Sequence, residues 1–277
     1  MGLFDRFKKE KAGGKDTPSP PVETDTAGKL LFLRERLEGQ ELREAVTRRF
    51  GPEALGELNQ DHPAVTSFLV RLEGVEFWCA HMALPLPPKE GDLPALLARS
   101  SFFSQEELEG AAGHRSFLLV VQKEGGRTLE QKRKICCLFT RLCGALLELE
   151  GAVAFLNSGV PLLVGRTFFL HHAAILEQNL EDPEYFPAPL WIALSQANNH
   201  GHTAIGTDGL SAFGFPELFF LNSREEWPQV YQKLWLMSIF QITGKAVYRE
   251  GDTIAFDPDK PPAVVKRLQE RLAIIGG

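Results

Sequence analysis

His200 and His202 stand two residues apart, and on a β-strand that spacing puts both imidazoles on one face. Cys79 and His81 repeat the spacing in an earlier apolar stretch. If the two hairpins lay side by side, four ligands of the kind zinc takes could meet. The spacing alone is cheap, however, and the NNHGH run at 198–202 is also an ordinary polar hairpin loop. The short ligand spacings of structural zinc sites are missing, so the loop reading is preferred and neither metal nor cofactor is expected. Among the acids, Asp208 and Glu217 flank a glycine-rich loop, and Asp252 and Asp257 lie near a later strand-forming run. Paired carboxylates do acid–base work when their surroundings split their pKa values. Loop acids more often cap backbone N–H groups, which is the preferred reading here.

Nucleophile signatures are missing. Ser158 and Ser211 lack the Gly-x-Ser-x-Gly elbow of hydrolases. Neither phosphate-binding glycine motif occurs. The GGRT run at 125–128 could receive an anion at a helix start, but reads more simply as a short charged connection. Cys136, Cys137 and Cys143 fall on one expected helix. Seven residues of helix put Cys136 and Cys143 about 10 Å apart, beyond the roughly 7 Å a disulfide tolerates. Reduced, buried thiols in a cytoplasm are therefore expected. His171 and His172 are helical neighbours that face about 100° apart, so they do not line one site together. No catalytic residue is assigned.

The elements that must position these groups are legible in the pattern. Residues 29–34 form a short β-type run, followed by a helix at 38–49 that Gly51 and Pro52 stop. Residues 66–72 and 75–84 are two strands joined at Glu73-Gly74, a hairpin turn. Ser104 and Glu107 make a capping box, a strand follows at 117–121, and Thr128 with Gln131 make a second box. The helix this box opens carries Ile135, Leu138, Phe139, Leu142, Leu146 and Leu149 on one face, and the chain returns as a strand at 152–156. The grammar then recurs: strands at 189–197 and 202–207, a loop at 207–218, an apolar strand at 218–221 and a third capping box from Ser223 to Glu226. A helix bearing Trp227, Val230, Tyr231, Leu234, Met237 and Ile242 follows, and then a strand at 253–256. Each half reads hairpin, strand, capped helix, strand. That is the order of a split β-α-β, so the expected fold is α+β with two tandem ferredoxin-like lobes and mainly antiparallel sheets. Trp78 is one residue out of step with Cys79 and His81 and is expected in the core, with the other tryptophans.

The loop itself, TDGLSAFGFPEL at 207–218, concentrates glycines, a proline and aromatics, which makes it a shaped loop and not a linker. With GHRSFLLV at 113–120, PLW at 189–191 and GDTI at 251–254, it resembles the bacterial family catalogued as domain of unknown function 4261. The Gly209 to Glu217 core, GLSAFGFPE, is the most specific part of the likeness. The resemblance implies a cytoplasmic bacterial protein of α+β fold and transfers no catalytic residue. Asp208, Phe213, Glu217, His114 and Asp252 are the candidate ligand- or partner-binding residues.

A net charge of -6 excludes a general nucleic-acid surface, and no run approaches the roughly 20 apolar residues of a membrane span. Residues 1–28 stand apart. Leu3, Phe4 and Phe7 share one side of a short basic stretch, and residues 13–26, rich in Gly, Pro, Ser and Thr, read as a flexible tether. Weak peripheral membrane contact through those three side chains is one reading, and a solubilising start is the simpler one. Two lobes, 29–160 and 161–277, follow. The expected function is a non-catalytic, cytoplasmic binding or regulatory module, of immunity type among other uses. It would take an unknown protein or small ligand through the 209–217 region. The alternative is a metal-assisted or acid–base hydrolase using His200, His202, Asp208 and Glu217.

Overall fold

Seven strands, two of them joined by the two-residue turn at Glu73 and Gly74, build the first of two sheets. The computed structural model describes residues 26–62, 65–87, 93–99, 102–122, 125–182, 185–199, 202–223 and 225–276. Leu3, Phe4, Phe7 and His200 lie outside them. In chain order the first half runs β1 (Thr26–Phe32), α1 (Gly39–Phe50), β2 (Leu55–His62), β3 (Val65–Leu72) and β4 (Val75–Met82). It continues with α2 (Leu93–Arg99), α3 (Gln105–Ala112), β5 (Ser116–Gln122), α4 (Leu129–Leu147), β6 (Ala152–Asn157), β7 (Leu162–Gly165) and α5 (Arg166–Gln178). The strands order as β2-β3-β4-β5-β1-β6-β7, all antiparallel. β5 and β6 flank β1 on either side, so β5-α4-β6 is a β-α-β unit split by the first strand.

Local chemistry explains several of these elements. Glu73 and Gly74 both have positive φ, 49° and 82°, the backbone a tight hairpin turn requires. They set the β3–β4 register at Leu72 opposite Val75. The capping boxes at Ser104/Glu107 and Thr128/Gln131 are both formed, and they open α3 and α4. Arg127 N–H and Thr128 N–H both donate to Gln131 Oε1, so the GGRT run closes on its own helix.

Helices cover both faces of the sheet. Leu30, Phe32, Phe155 and Val164 pack against Phe139, Leu142 and Leu146 of α4 and Phe169 of α5, while Leu31, Leu156 and Leu163 pack against Leu93, Leu96 and Ala111 on the other side. Period-two alternation sends neighbouring strand residues to opposite layers. Burying each of these large side chains is worth about 1.5–3 kcal/mol.

The second half consists of β8 (Ala193–Asn199), β9 (His202–Asp208), β10 (Leu218–Ser223), α6 (Trp227–Ile242), β11 (Thr253–Ile254), β12 (Ala263–Leu268) and β13 (Arg271–Ile275). Its sheet orders as β11-β12-β13-β10-β9-β8. Only β10 and β13 run parallel. The chain is therefore α+β, with two antiparallel-dominated sheets and six α-helices among the described residues. Ile205, Leu218, Phe220, Leu272 and Ile274 join the same apolar cluster as α4. Three hydrogen bonds stitch the seam: Trp191 Nε1 to Thr140 Oγ1 (3.0 Å), Asn157 Nδ2 to Leu190 O (3.2 Å) and Lys132 Nζ to Ala212 O (2.5 Å). No helix among the described residues is long and apolar enough to cross a membrane.

Four local expectations need correction. Trp78 is 38% exposed, while Cys79 and His81 are buried. α2 and α3 sit over β1, β6 and β7 and leave the Trp78 face of β4 unroofed. The third capping box does not form, because Ser223 stays in β10 opposite Thr203. α6 begins at Trp227 with Pro228 in its first turn, where a missing N–H costs nothing. Residues 188–190 make a 3₁₀ turn, and β8 starts only at Ala193. The strand expected at 253–256 shrinks to Thr253 and Ile254.

Candidate functional site

The 207–218 loop owes its shape to one carboxylate. Glu217 Oε1 accepts from Gly209 N–H and Ser211 N–H, each at 2.9 Å, and Oε2 accepts from the Thr207 hydroxyl at 2.7 Å. Thr207 Oγ1 in turn accepts from Leu218 N–H at 2.8 Å. Gly209 has φ 128°, and a Cβ there would come within 2.6 Å of Trp191 O, so only glycine fits. A 3₁₀ turn over Leu210–Phe213 follows, and Gly214 closes it in the left-handed conformation. Phe213 is buried edge-on to Phe186, with ring centroids 5.3 Å apart. Asp208 is the acid of this group that faces solvent. Partial loss of hydration, then the nearby Glu217 carboxylate, push its pKa upward against the pull of Arg271.

The remaining candidates do not converge on this loop. His114 is buried before β5, where Nε2 accepts from Leu86 N–H and Nδ1–H donates to Ala111 O, both at 2.8 Å. Its two ring nitrogens are thus spent on joining two segments of backbone. Asp252 closes an exposed turn by accepting from Arg249 N–H at 2.7 Å. Cys79 and His81 point from β4 into the core, whereas His202 belongs to β9 of the other sheet. Burial, helped by the charges of Arg36 and Arg34, lowers the His81 pKa to about 4. Burial also drives the Cys79 and Cys143 thiols upward, as it does Cys136 and Cys137 on α4, and all four cysteines are free. Among the described residues no group of three or more His, Cys, Asp or Glu is placed to hold a metal ion.

A different feature offers an accessible, shaped surface. Trp227, Tyr231 and Trp235 recur every four residues and so share one face of α6. Ring centroids step 6.4 Å from Trp227 to Tyr231 and 5.9 Å from Tyr231 to Trp235. The ladder continues 5.8 Å to Phe102 and 4.4 Å to Phe168. Gln196 of β8 and Gln232 complete an open cleft of about 500 Å³, a size range typical of ligand sites. The Tyr231 hydroxyl donates to Gln196 Oε1 at 3.3 Å, and the Trp235 indole N–H reaches Ile192 O at 3.5 Å. Beyond Phe168 the ladder runs on to His172, whose pKa burial lowers to about 4, with His171 adding to the shift. His171 and His172 approach each other edge-on at 5.3 Å despite facing different sides of α5.

In the sequence this stripe is submerged in the general apolar face of its helix. Val230, Leu234, Met237 and Ile242 are buried, whereas the three rings are only partly so. The one signal that separates them is aromatic recurrence at every fourth residue beside glutamines. Phe102, from a distant loop, carries no such signal.

Comparison with protein-family models, with curated proteins and with solved structures gave no match. The resemblance to the domain of unknown function 4261 family rests on the quoted residues alone.

Proposed function

We propose that this protein is a non-catalytic binding module, with a regulatory or immunity-type use, and that its ligand or partner seats in the aromatic cleft of α6. The observation that carries this reading is the partial exposure of Trp227, Tyr231 and Trp235, three large rings beside a core that buries their helical neighbours. Rigid aromatic surface of this kind supplies contact area at low entropic cost and is enriched where proteins bind. The 209–217 loop is the second surface in this reading, with Asp208 and Ser211 exposed on it and Phe213 anchoring it from within. Free thiols support a cytoplasmic location. Two ferredoxin-like lobes, divided near residue 160, belong to the same proposal. The split β5-α4-β6 unit supports it in the first half, while in the second β10 and β13 are immediate neighbours. Against a hydrolase using His200, His202, Asp208 and Glu217 stand the three donors already held by Glu217.

The test is selection of peptides from a random displayed library on the wild-type protein. Enriched sequences that lose binding to Trp227→Ala and Tyr231→Ala, with thermal unfolding of both variants unchanged within a few degrees, support the cleft. Enrichment indifferent to both substitutions, or none, sinks it.

A further inference from the structure

The chain carries, outside the described residues, a segment suited to this cleft. Pro18, Pro20 and Pro21 occur in the sequence TPSPPV at 17–22. Prolines at this density favour the polyproline II helix, which has three residues per turn and about 3.1 Å rise. Pro18 and Pro21 then share one face about 9 Å apart. The α6 stripe is matched in length, since eight residues separate Trp227 from Trp235, about 12 Å of helix. Its rings leave successive gaps between centroids 6.4 Å and 5.9 Å apart. Grooves lined by spaced aromatics with polar rims are the established physical solution for proline-rich segments, because the ligand enters already ordered. Gln196 and Gln232 provide the polar rim here.

The chain enters β1 beside elements that lead to the cleft. Gly28 pairs with Asn157, Asn157 Nδ2 bonds Leu190 O, and the Trp235 indole reaches Ile192 O two residues on. From Thr26, which is held opposite Gln122 at the start of β1, back to Pro21 is five residues, up to about 17 Å of extended chain. A short tether holds such a segment at an effective concentration on the order of millimolar. An intrinsic Kd as weak as about 1 mM would leave the cleft about half occupied by its own chain.

We infer that the segment around Pro18, Pro20 and Pro21 docks in cis in the cleft of Trp227, Tyr231, Trp235 and Phe102, and that an outside proline-rich partner binds by displacing it. This rests on the cleft being the binding surface.

The experiment follows the four tryptophan indole N–H signals by NMR in the full chain. The wild type is compared with a Pro18→Ala, Pro20→Ala, Pro21→Ala variant. The Trp227 and Trp235 signals are expected to move in the variant while Trp78 and Trp191 hold still. A synthetic peptide of residues 16–24 added to the variant should return them saturably to wild-type positions, and its Ala-for-Pro counterpart should not. Coincident wild-type and variant spectra with no peptide response overturn the inference. Wild-type shifts that vanish on dilution also overturn it, in favour of a second copy as occupant, and movement at Trp78 instead places the segment elsewhere. If unrelated proline-rich peptides move Trp227 and Trp235 while the native one does not, the cleft stands and only the intramolecular occupant falls.

Discussion

Replacing Glu217 by alanine separates a strut from a binding or catalytic acid. The substitution strands three donors: Gly209 N–H, Ser211 N–H and the Thr207 hydroxyl. Ser211 is exposed and can turn to water, but Gly209 and Thr207 are buried. The Thr207 hydroxyl can turn to Leu218 O at 3.3 Å, which leaves Gly209 N–H as the buried group without a partner, and such a group costs about 1–3 kcal/mol, the expected loss. Glu217→Gln keeps an oxygen for the two backbone donors, and its amide can donate to Thr207 Oγ1. The hydroxyl hydrogen is then released toward Leu218 O at 3.3 Å. The glutamine variant should therefore lose only about 1 kcal/mol. Urea unfolding followed by far-UV circular dichroism measures both, the stability change being read from the midpoint at constant slope. For a protein of this size each kcal/mol corresponds to about 2–4 °C in Tm. Alanine within 0.5 kcal/mol of wild type, or glutamine as damaging as alanine, would refute the account of the loop.

Three further outcomes follow from particular contacts. A Cβ at Gly165 would lie 2.5 Å from Glu107 Oε2 and 2.9 Å from Phe102 O. Gly165→Ala should thus displace the carboxylate that caps both α3 and α5 (Thr167 N–H donates to it at 2.6 Å) and cost about 1–3 kcal/mol in the same assay. His81 titrates near 4 when folded and near 6.5 when unfolded. Its neutral form therefore contributes stability that is complete above the unfolded value and is lost as pH falls through the folded one. Between pH 6.5 and 4 the loss is on the order of 3 kcal/mol. A His81→Gln variant showing the same pH slope over that window would contradict it. Finally, the four cysteines should resist a chromogenic disulfide reagent at pH 8 in native protein and all react in denaturant. Rapid labelling of Cys79 or Cys143 in the native state would mean that the α4 layer opens.

Where local chemistry and packing agreed, the sequence was readable. α4 announces itself through Thr128, Gln131 and a four-residue apolar rhythm, and the β3–β4 hairpin through Glu73 and Gly74. β2, LGELNQDH, shows neither alternation nor β-branched residues, and only its pairing with β3 makes it a strand. β7 has four residues, too few for a period to show. The β12–β13 hairpin turns at Gln269 with φ 60°, a residue carrying no turn signal of its own. At the candidate site, Glu217 was visible as a loop acid, and its preferred reading as a backbone cap is the arrangement found. The aromatic cleft was not legible, because exposure is decided by which neighbour is missing. α6 shows the same apolar residues whether or not another layer covers Trp227 and Tyr231.

The order of strands also governs when each sheet can exist. β13 is the last of the described strands yet lies between β12 and β10. While the polypeptide is being synthesised, β10 therefore waits with one edge bare until residue 275 has cleared the ribosome. β1, by contrast, is the first of the described strands, and β5 and β6 flank it on either side. The first sheet can grow outward from its own beginning, but the second must hold an open seam for its final strand. A chain without Arg271–Ile275 would present β10 as an adhesive edge.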